Sequence, residues 1–213
     1  MDPRLQHPFT CVIAGPTQCG KTVFLNRFLS HTKTLIKDPP EVILWFYGEY
    51  QCLYDHLKQS LGETIRFIEG VPQSFEDLID TSKRNLIILD DLMSETANDK
   101  KISNLFTKGS HHKNLSVILV SQNLFHQGKE SRTISLNAHY LILFKNPRDA
   151  SQIAYLARQM FPEKPKYLQE AYKDATSKPY GYLFIDLKSN TPDNFRLRTQ
   201  IFPGETQYAY VKK

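Results

Sequence analysis

Sulfur is scarce in this chain. Of 213 residues only three are cysteine, Cys11, Cys19 and Cys52. The number is odd, no C-x-x-C occurs, and the spacing matches no metal-ligand set. A disulfide-stapled secreted scaffold is therefore excluded, and free thiols in a reducing compartment are expected. The adjacent His111 and His112 would diverge on a helix or a strand, so they make no zinc pair. Long apolar runs are also missing: none approaches the roughly 18 residues that cross a bilayer. The opening Met1-Asp2-Pro3-Arg4 has no apolar segment of a secretion signal. An intracellular protein that is neither secreted nor membrane-spanning is the expectation. No repeat and no flexible linker interrupts the sequence. Its length allows one α/β domain over 1–213, with a core over about 8–202.

What is present begins with Gly15-Pro16-Thr17-Gln18-Cys19-Gly20-Lys21-Thr22, which fits G-x-x-x-x-G-K-S/T. The apolar run Phe9–Ala14 reads as a buried strand before it. Val23, Phe24, Arg27 and Phe28 continue it as a helix. A glycine turn between strand and helix lets successive backbone N–H groups face one concavity. Lys21 can then reach the β- and γ-phosphates of ATP, and the Thr22 hydroxyl can ligate Mg²⁺. The helix N-terminus adds partial positive charge. Cys19 is a small residue inside this cradle.

The run Leu86-Ile87-Ile88-Leu89 ends in two carboxylates, Asp90 and Asp91. Four unalternating apolar residues read as a central parallel strand covered on both faces. Asp90 at its carboxyl end is placed to hold Mg²⁺ as a Walker-B aspartate. Asp91 is placed to orient or deprotonate the attacking water; the alternative is that it only caps the next turn, with Glu95 a weaker substitute. Ser116–Val120 reads as another strand, ending in Ser121-Gln122-Asn123. An amide at that position can sense the γ-phosphate, unless the cluster is a simple turn.

The net charge of +5 is unevenly spread. Between Lys100 and Arg148 stand eight lysines and arginines, among them Lys108 and Lys113, against one acid, Glu130. Four histidines, His111, His112, His126 and His139, lie there too. The rest of the chain is slightly acidic. A localised basic field is what a polyanion such as DNA requires.

Elsewhere, strand and helix signals alternate. Asp38-Pro39-Pro40 breaks the chain before a strand over Glu41–Tyr47. A helix is expected over Tyr50–Leu61, a short strand over Ile65–Ile68, a short helix after Ser74, and a helix over Lys100–Gly109. Leu124–Asn137 reads as a loop and Tyr140–Phe144 as a strand. Asn146-Pro147 reads as a helix start, with Asn as cap and Pro first. A further helix spans Lys166–Ala175. Gly181–Asp186 and Phe195–Phe202 read as a final strand pair, the second with Arg196, Arg198 and Gln200 facing away from its apolar side. From Pro203 the tail looks irregular. The alternation implies a doubly wound, mostly parallel sheet in a three-layer α/β/α sandwich.

GPTQCGKT, LIILDD, FTKGSHHKN leading into SVILVSQN, and RTISLNAHY followed by FKNPRD resemble the DNA-packaging ATPases of the FtsK–HerA superfamily. The similarity is to versions from Maverick/Polinton elements and large DNA viruses, akin to the poxvirus packaging ATPase, and covers about 8–202. It implies a RecA-like P-loop NTPase in which the 116–120 strand stands between the P-loop and Walker-B strands. It further implies a ring, hexameric or pentameric, that threads double-stranded DNA into a procapsid beside a capsid or portal partner, in the host nucleus or cytoplasm or with the virion. Carried over by position, Gly15 to Thr22 bind ATP, Thr22 and Asp90 hold Mg²⁺, Asp91 aligns water and Gln122 is the sensor. A neighbouring subunit's arginine is also implied. Arg132 is the first choice, Arg148 the second, Arg196 and Arg198 the third. A nucleotide kinase and a non-enzymatic nucleotide-binding adaptor are the competing readings. The first needs an arginine-rich lid that is not evident, and the second does not account for Asp90, Asp91 and Gln122 together.

Overall fold

The computed structural model describes residues 2–92, 99–109, 114–125 and 129–212, with only the backbone of Lys108, Gly109 and Lys129. Nine strands form one sheet: β1 (Thr10–Ala14), β2 (Val42–Tyr47), β3 (Ile65–Glu69), β4 (Asn85–Asp90), β5 (Leu115–Ser121), β6 (Tyr140–Phe144), β7 (Tyr182–Asp186), β8 (Leu197–Thr199) and β9 (Tyr208–Tyr210). Their spatial order is β3-β2-β4-β5-β1-β6-β7-β8-β9. The first six are mutually parallel, and the last three add on antiparallel.

The parallel strands are continuous apolar runs because helices cover both faces. Ile13, Ile43, Ile88 and Ile118 face one core, shared with Phe24, Leu25 and Phe28 of α1 (Lys21–Ser30) and Leu57 of α3 (Leu53–Leu61). Val12, Leu44, Ile87 and Leu119 face the other. That core holds Ile102 of α4 (Lys100–Asn104), Ile134 of α5 (Lys129–Leu136), Leu156 of α6 (Ser151–Met160) and Leu168 of α7 (Pro165–Ala175). A single short turn, α2 (Thr32–Leu35), follows α1. The result is the expected α/β/α sandwich, with β5 between β4 and β1 as the resemblance implied. Parallel strands end at one edge, so the residues after β1, β4, β5 and β6 share it. No helix among the described residues is long and apolar enough to cross a membrane.

Five expectations are corrected. Residues 129–136, expected to be loop, form α5, whose sequence KESRTISL is mostly polar; docking of Ile134 into the core holds it rather than intrinsic propensity. Asn146 does not start a helix. Its Oδ1 accepts from the Arg148 N–H at 3.1 Å in a local turn, and α6 begins at Ser151, beside a second cap-type residue, Asp149. The tail is not irregular throughout, since β9 pairs with β8. The strand expected over Phe195–Phe202 is only Leu197–Thr199, and Arg198 is not on a solvent face. It is 4% exposed, enclosed by Pro3 of the N-terminal segment, the Phe184 ring and Asp186. The 100–109 helix also changes character, ending in a π-turn over Leu105–Gly109.

Arg198 lies over the Phe184 ring at 4.6 Å, donates to the Pro3 carbonyl at 2.7 Å and sits 3.8 Å from the equally buried Asp186. Removing one member strands the other charge in the interior. Arg198→Ala is expected to cost ~3–5 kcal/mol in urea denaturation. A loss below about 1 kcal/mol would show that the pair acts like a surface ion pair.

Candidate nucleotide site

Strand β1 stops at Ala14, and the Gly15 N–H donates across to the Ser121 carbonyl at 3.2 Å, tying the loop to β5. The loop then curls through two left-handed residues, Gln18 at φ +64° and Gly20 at φ +106°. Cys19 N–H donates to the Pro16 carbonyl at 3.3 Å, and Phe24 N–H to the Gly20 carbonyl at 2.8 Å, which starts α1. Gly15 has no room for a side chain: a Cβ there would lie 2.7 Å from both Cys19 Sγ and Phe144 Cβ. Lys21 Nζ donates to the carbonyls of Gly15 at 2.6 Å and Pro16 at 2.9 Å, so the ammonium lies folded over the loop. Thr22 is half-buried in the first turn of α1. The Cys19 thiol is pushed up by burial, against a smaller opposing effect of Lys21.

Asp90 ends β4 and is 3% exposed. Burial raises its pKa, and a hydrogen bond from the Tyr54 hydroxyl to Oδ2 at 3.0 Å opposes that. Lys21 also favours its charged form, which brings the two motifs into one field. Oδ1 accepts no hydrogen bond among the described residues. A buried carboxylate with one oxygen uncommitted, within the field of Lys21, fits a hard cation held by few protein oxygens. Asp91 is exposed and adopts φ +55°. Left-handed backbone is uncommon outside glycine, tolerated by Asp, and concentrated at functional sites. Gln122, just past β5, donates from Nε2 to Asp91 Oδ1 at 3.5 Å, the outer limit of a hydrogen bond.

Three residues of this edge were not singled out in the sequence. Tyr54, which holds Asp90, reads there only as part of an amphipathic helix. Gly48 follows β2, and a Cβ on it would lie 2.9 Å from the Asp91 carbonyl oxygen. Gln152 braces the chain beyond β5. Its Oε1 accepts from the Leu124 N–H at 2.8 Å, and its Nε2 donates to Asp149 Oδ2 at 2.7 Å and Asn123 Oδ1 at 3.4 Å.

Among the arginines, Arg132 lies on a helix rather than in a loop. It lines a groove of about 510 Å³ between α5 and α6, with Phe125, Leu136, Tyr155 and Arg158. Arg148 is exposed in the turn before α6. Neither side chain has a hydrogen bond or ion pair among the described residues. Arg196 and Arg198 are excluded as donors to a neighbour. Arg196 is spent on the carbonyls of Asp186, Lys188 and Thr191 at 2.8 to 3.2 Å, and Arg198 is buried. Glu95, Lys113, His111, His112 and His126 fall outside the described residues, as does the side chain of Lys108.

Comparison with known proteins gives the same frame. The family described as "Poxvirus A32 protein" matches residues 2–161. The genome packaging NTPase B204 from Sulfolobus turreted icosahedral virus 2, in complex with ATP-gammaS, superposes with a TM-score of 0.58 over 90% of this chain and 96% of that one, at 15% identity. The B204 DNA-packaging ATPase from Sulfolobus Turreted Icosahedral Virus gives 0.59 with the same coverage and identity. At that identity the likeness is one of fold. No curated protein matches the chain. With the family spanning most of its length and the phosphate loop set against Asp90 and Asp91, the chain is a P-loop ATPase that belongs to the poxvirus A32 protein family.

Proposed function

We propose that this ATPase translocates double-stranded DNA and packages a viral or virus-like genome into a procapsid, as a homo-oligomeric ring of five or six subunits. The observation that carries the reading is the position of β5. It brings Gln122 to Asp91 while its own Ser121 carbonyl holds the phosphate loop. One strand thus touches both the group that binds the triphosphate and the group that would align water. The genome-packaging and DNA-packaging roles named for the similarly folded B204 proteins support DNA as the cargo, and the procapsid is part of the proposal. The basic stretch between Lys100 and Arg148 supplies charge for phosphate contacts. A capsid or portal partner and an intracellular or virion location belong to the same reading.

In this account the backbone of Gly15, Pro16, Thr17, Gln18, Cys19 and Gly20 cradles the phosphates. Lys21 exchanges the Gly15 and Pro16 carbonyls for β- and γ-phosphate oxygens. Thr22 and Asp90 would hold Mg²⁺, which would neutralise the negative charge that develops on the phosphate oxygens. Asp91 orients water for attack on the γ-phosphorus, the bond to the bridging oxygen breaks, and ADP and phosphate leave. Gln122 reports the change to β5. Tyr54 fixes the Asp90 rotamer, and Gly48 leaves room for the Asp91 peptide.

Displacement of a third strand from a long duplex tests translocation. The protein is expected to strip it in an ATP-dependent, sequence-insensitive reaction that weakens steeply with salt. Lys21→Ala should abolish it, with ATP turnover lowered ~100-fold or more, the scale of a lost electrostatic donor. ATP turnover without displacement would remove the translocase.

Arg132 is the proposed donor to the neighbouring site. Arg132→Ala should still bind ATP and assemble, yet lose on the order of a thousandfold in rate. Mixing Arg132→Ala with Lys21→Ala subunits should restore part of the activity, because some intact Lys21 sites then face an intact Arg132. If mixed rings form and nothing is restored, Arg148 takes the role.

A further inference from the structure

Beside the phosphate loop lies a second cavity, of about 600 Å³, that the roles assigned so far leave unused. It opens at Gly20 and runs along α1 past Val23 to the β7–β9 end of the sheet. That volume is in the range of small-molecule sites. Three of the large apolar side chains exposed among the described residues meet at it: Val23 at 60%, Tyr180 at 67% and Tyr208 at 53%. Exposed apolar groups gathered at one concavity mark a place where something binds.

The backbone around it is strained. Tyr180 has φ +61° and Gln200 φ +55°, and both line the cavity. A left-handed tyrosine is a genuine outlier, because a bulky Cβ crowds the backbone there. Such strain persists where surrounding structure over-determines it, and it concentrates at ligand sites. Here a tight turn enforces it. Gly181 N–H donates to the Lys178 carbonyl at 3.0 Å, and a Cβ on Gly181 would lie 2.5 Å from the Ala175 carbonyl oxygen. The turn lays the Tyr180 ring against Gly20, where a Cβ would come 2.8 Å from Cδ1. An aromatic face is thereby fixed at the point where the phosphate loop becomes α1.

The polar lining is mostly committed. Arg27 pairs with Glu205 and lies 4.2 Å over the Phe202 ring. Thr199 donates to the Tyr182 carbonyl at 2.7 Å, and Asp174 accepts from the Tyr210 hydroxyl at 2.6 Å. Gln200 is half-buried, and its carboxamide has no hydrogen-bond partner among the described residues. It therefore offers a donor and an acceptor to a ligand.

We infer that this cavity receives the nucleoside half of the nucleotide, with the base stacked on Tyr180 and its edge read by Gln200. The inference rests on the phosphate-loop reading and adds the groups that recognise the rest of the molecule. Calorimetric titration of ATP and of inorganic tripolyphosphate, both with Mg²⁺, separates the two. Tyr180→Ala is expected to weaken ATP about tenfold or more, as loss of a base–aromatic stack does, and to leave tripolyphosphate within about twofold. Tyr180→Phe should bind ATP like the unaltered protein. Unchanged ATP affinity in Tyr180→Ala would overturn the inference. Equal weakening of both ligands would also overturn it, by assigning Tyr180 to bracing Gly20. Failure of the phosphate-loop reading looks different: Lys21→Ala would then leave both affinities untouched.

Discussion

Everything at the nucleotide edge depends on β5 being wedged between β4 and β1. All seven of its residues are buried, and it is laddered on both sides, with Val120 beside Asp90 and Ser121 beside Ala14. A one-residue slip would exchange the two faces of the strand and move every side chain to the wrong core. The apolar pattern LSVILVS therefore sets more than packing. It sets the height at which Gln122 leaves the sheet, and that height matches Asp91 on one side and Gly15 on the other. Gln152 then holds the chain that follows, so Gln122 stands on a braced loop rather than a free one.

The same edge concentrates backbone strain. Gln18 lies in the loop before α1 and Asp91 just after β4, with Tyr180 and Gln200 at the adjoining cavity. Each left-handed non-glycine costs on the order of 1–3 kcal/mol and persists only where the surrounding structure compels it. The compelling structure is visible at each place. Gly48 makes room for the Asp91 carbonyl, Gly181 closes the turn that contains Tyr180, and the two apolar cores on either face of the sheet supply the stability that tolerates the strain.

What could be read from sequence was local. GPTQCGKT and LIILDD stand out because each motif is contiguous and sits at the end of a buried strand. The parallel core was legible for the same reason, since unalternating runs such as YLILF have one common explanation. What depends on distant pairing was not. Arg198 looks solvent-facing until the N-terminal Pro3 is known to pack on it, and β9 hides in a tail with Pro203 and Gly204. The polar helix over 129–136 is held by Ile134 alone in a pattern too thin to register. Asn146 and Asp149 are both good capping residues three positions apart, and local chemistry does not choose between them. Tyr54 and Gly48 matter only because β2 lies next to β4, which the linear order does not state.

On the proposed mechanism, β5 couples Gln122 to Asp91 as one hydrolytic unit. A double-mutant cycle on single-turnover ATP hydrolysis, with Asp91→Asn, Gln122→Ala and the pair, measures this directly. Nucleotide affinity should be retained in all three variants. The account predicts that the double variant loses little more rate than Asp91→Asn alone, a coupling of about 1 kcal/mol or more, as residues in contact show. Rate losses that add within about 0.3–0.5 kcal/mol, as for independent sites, would contradict it.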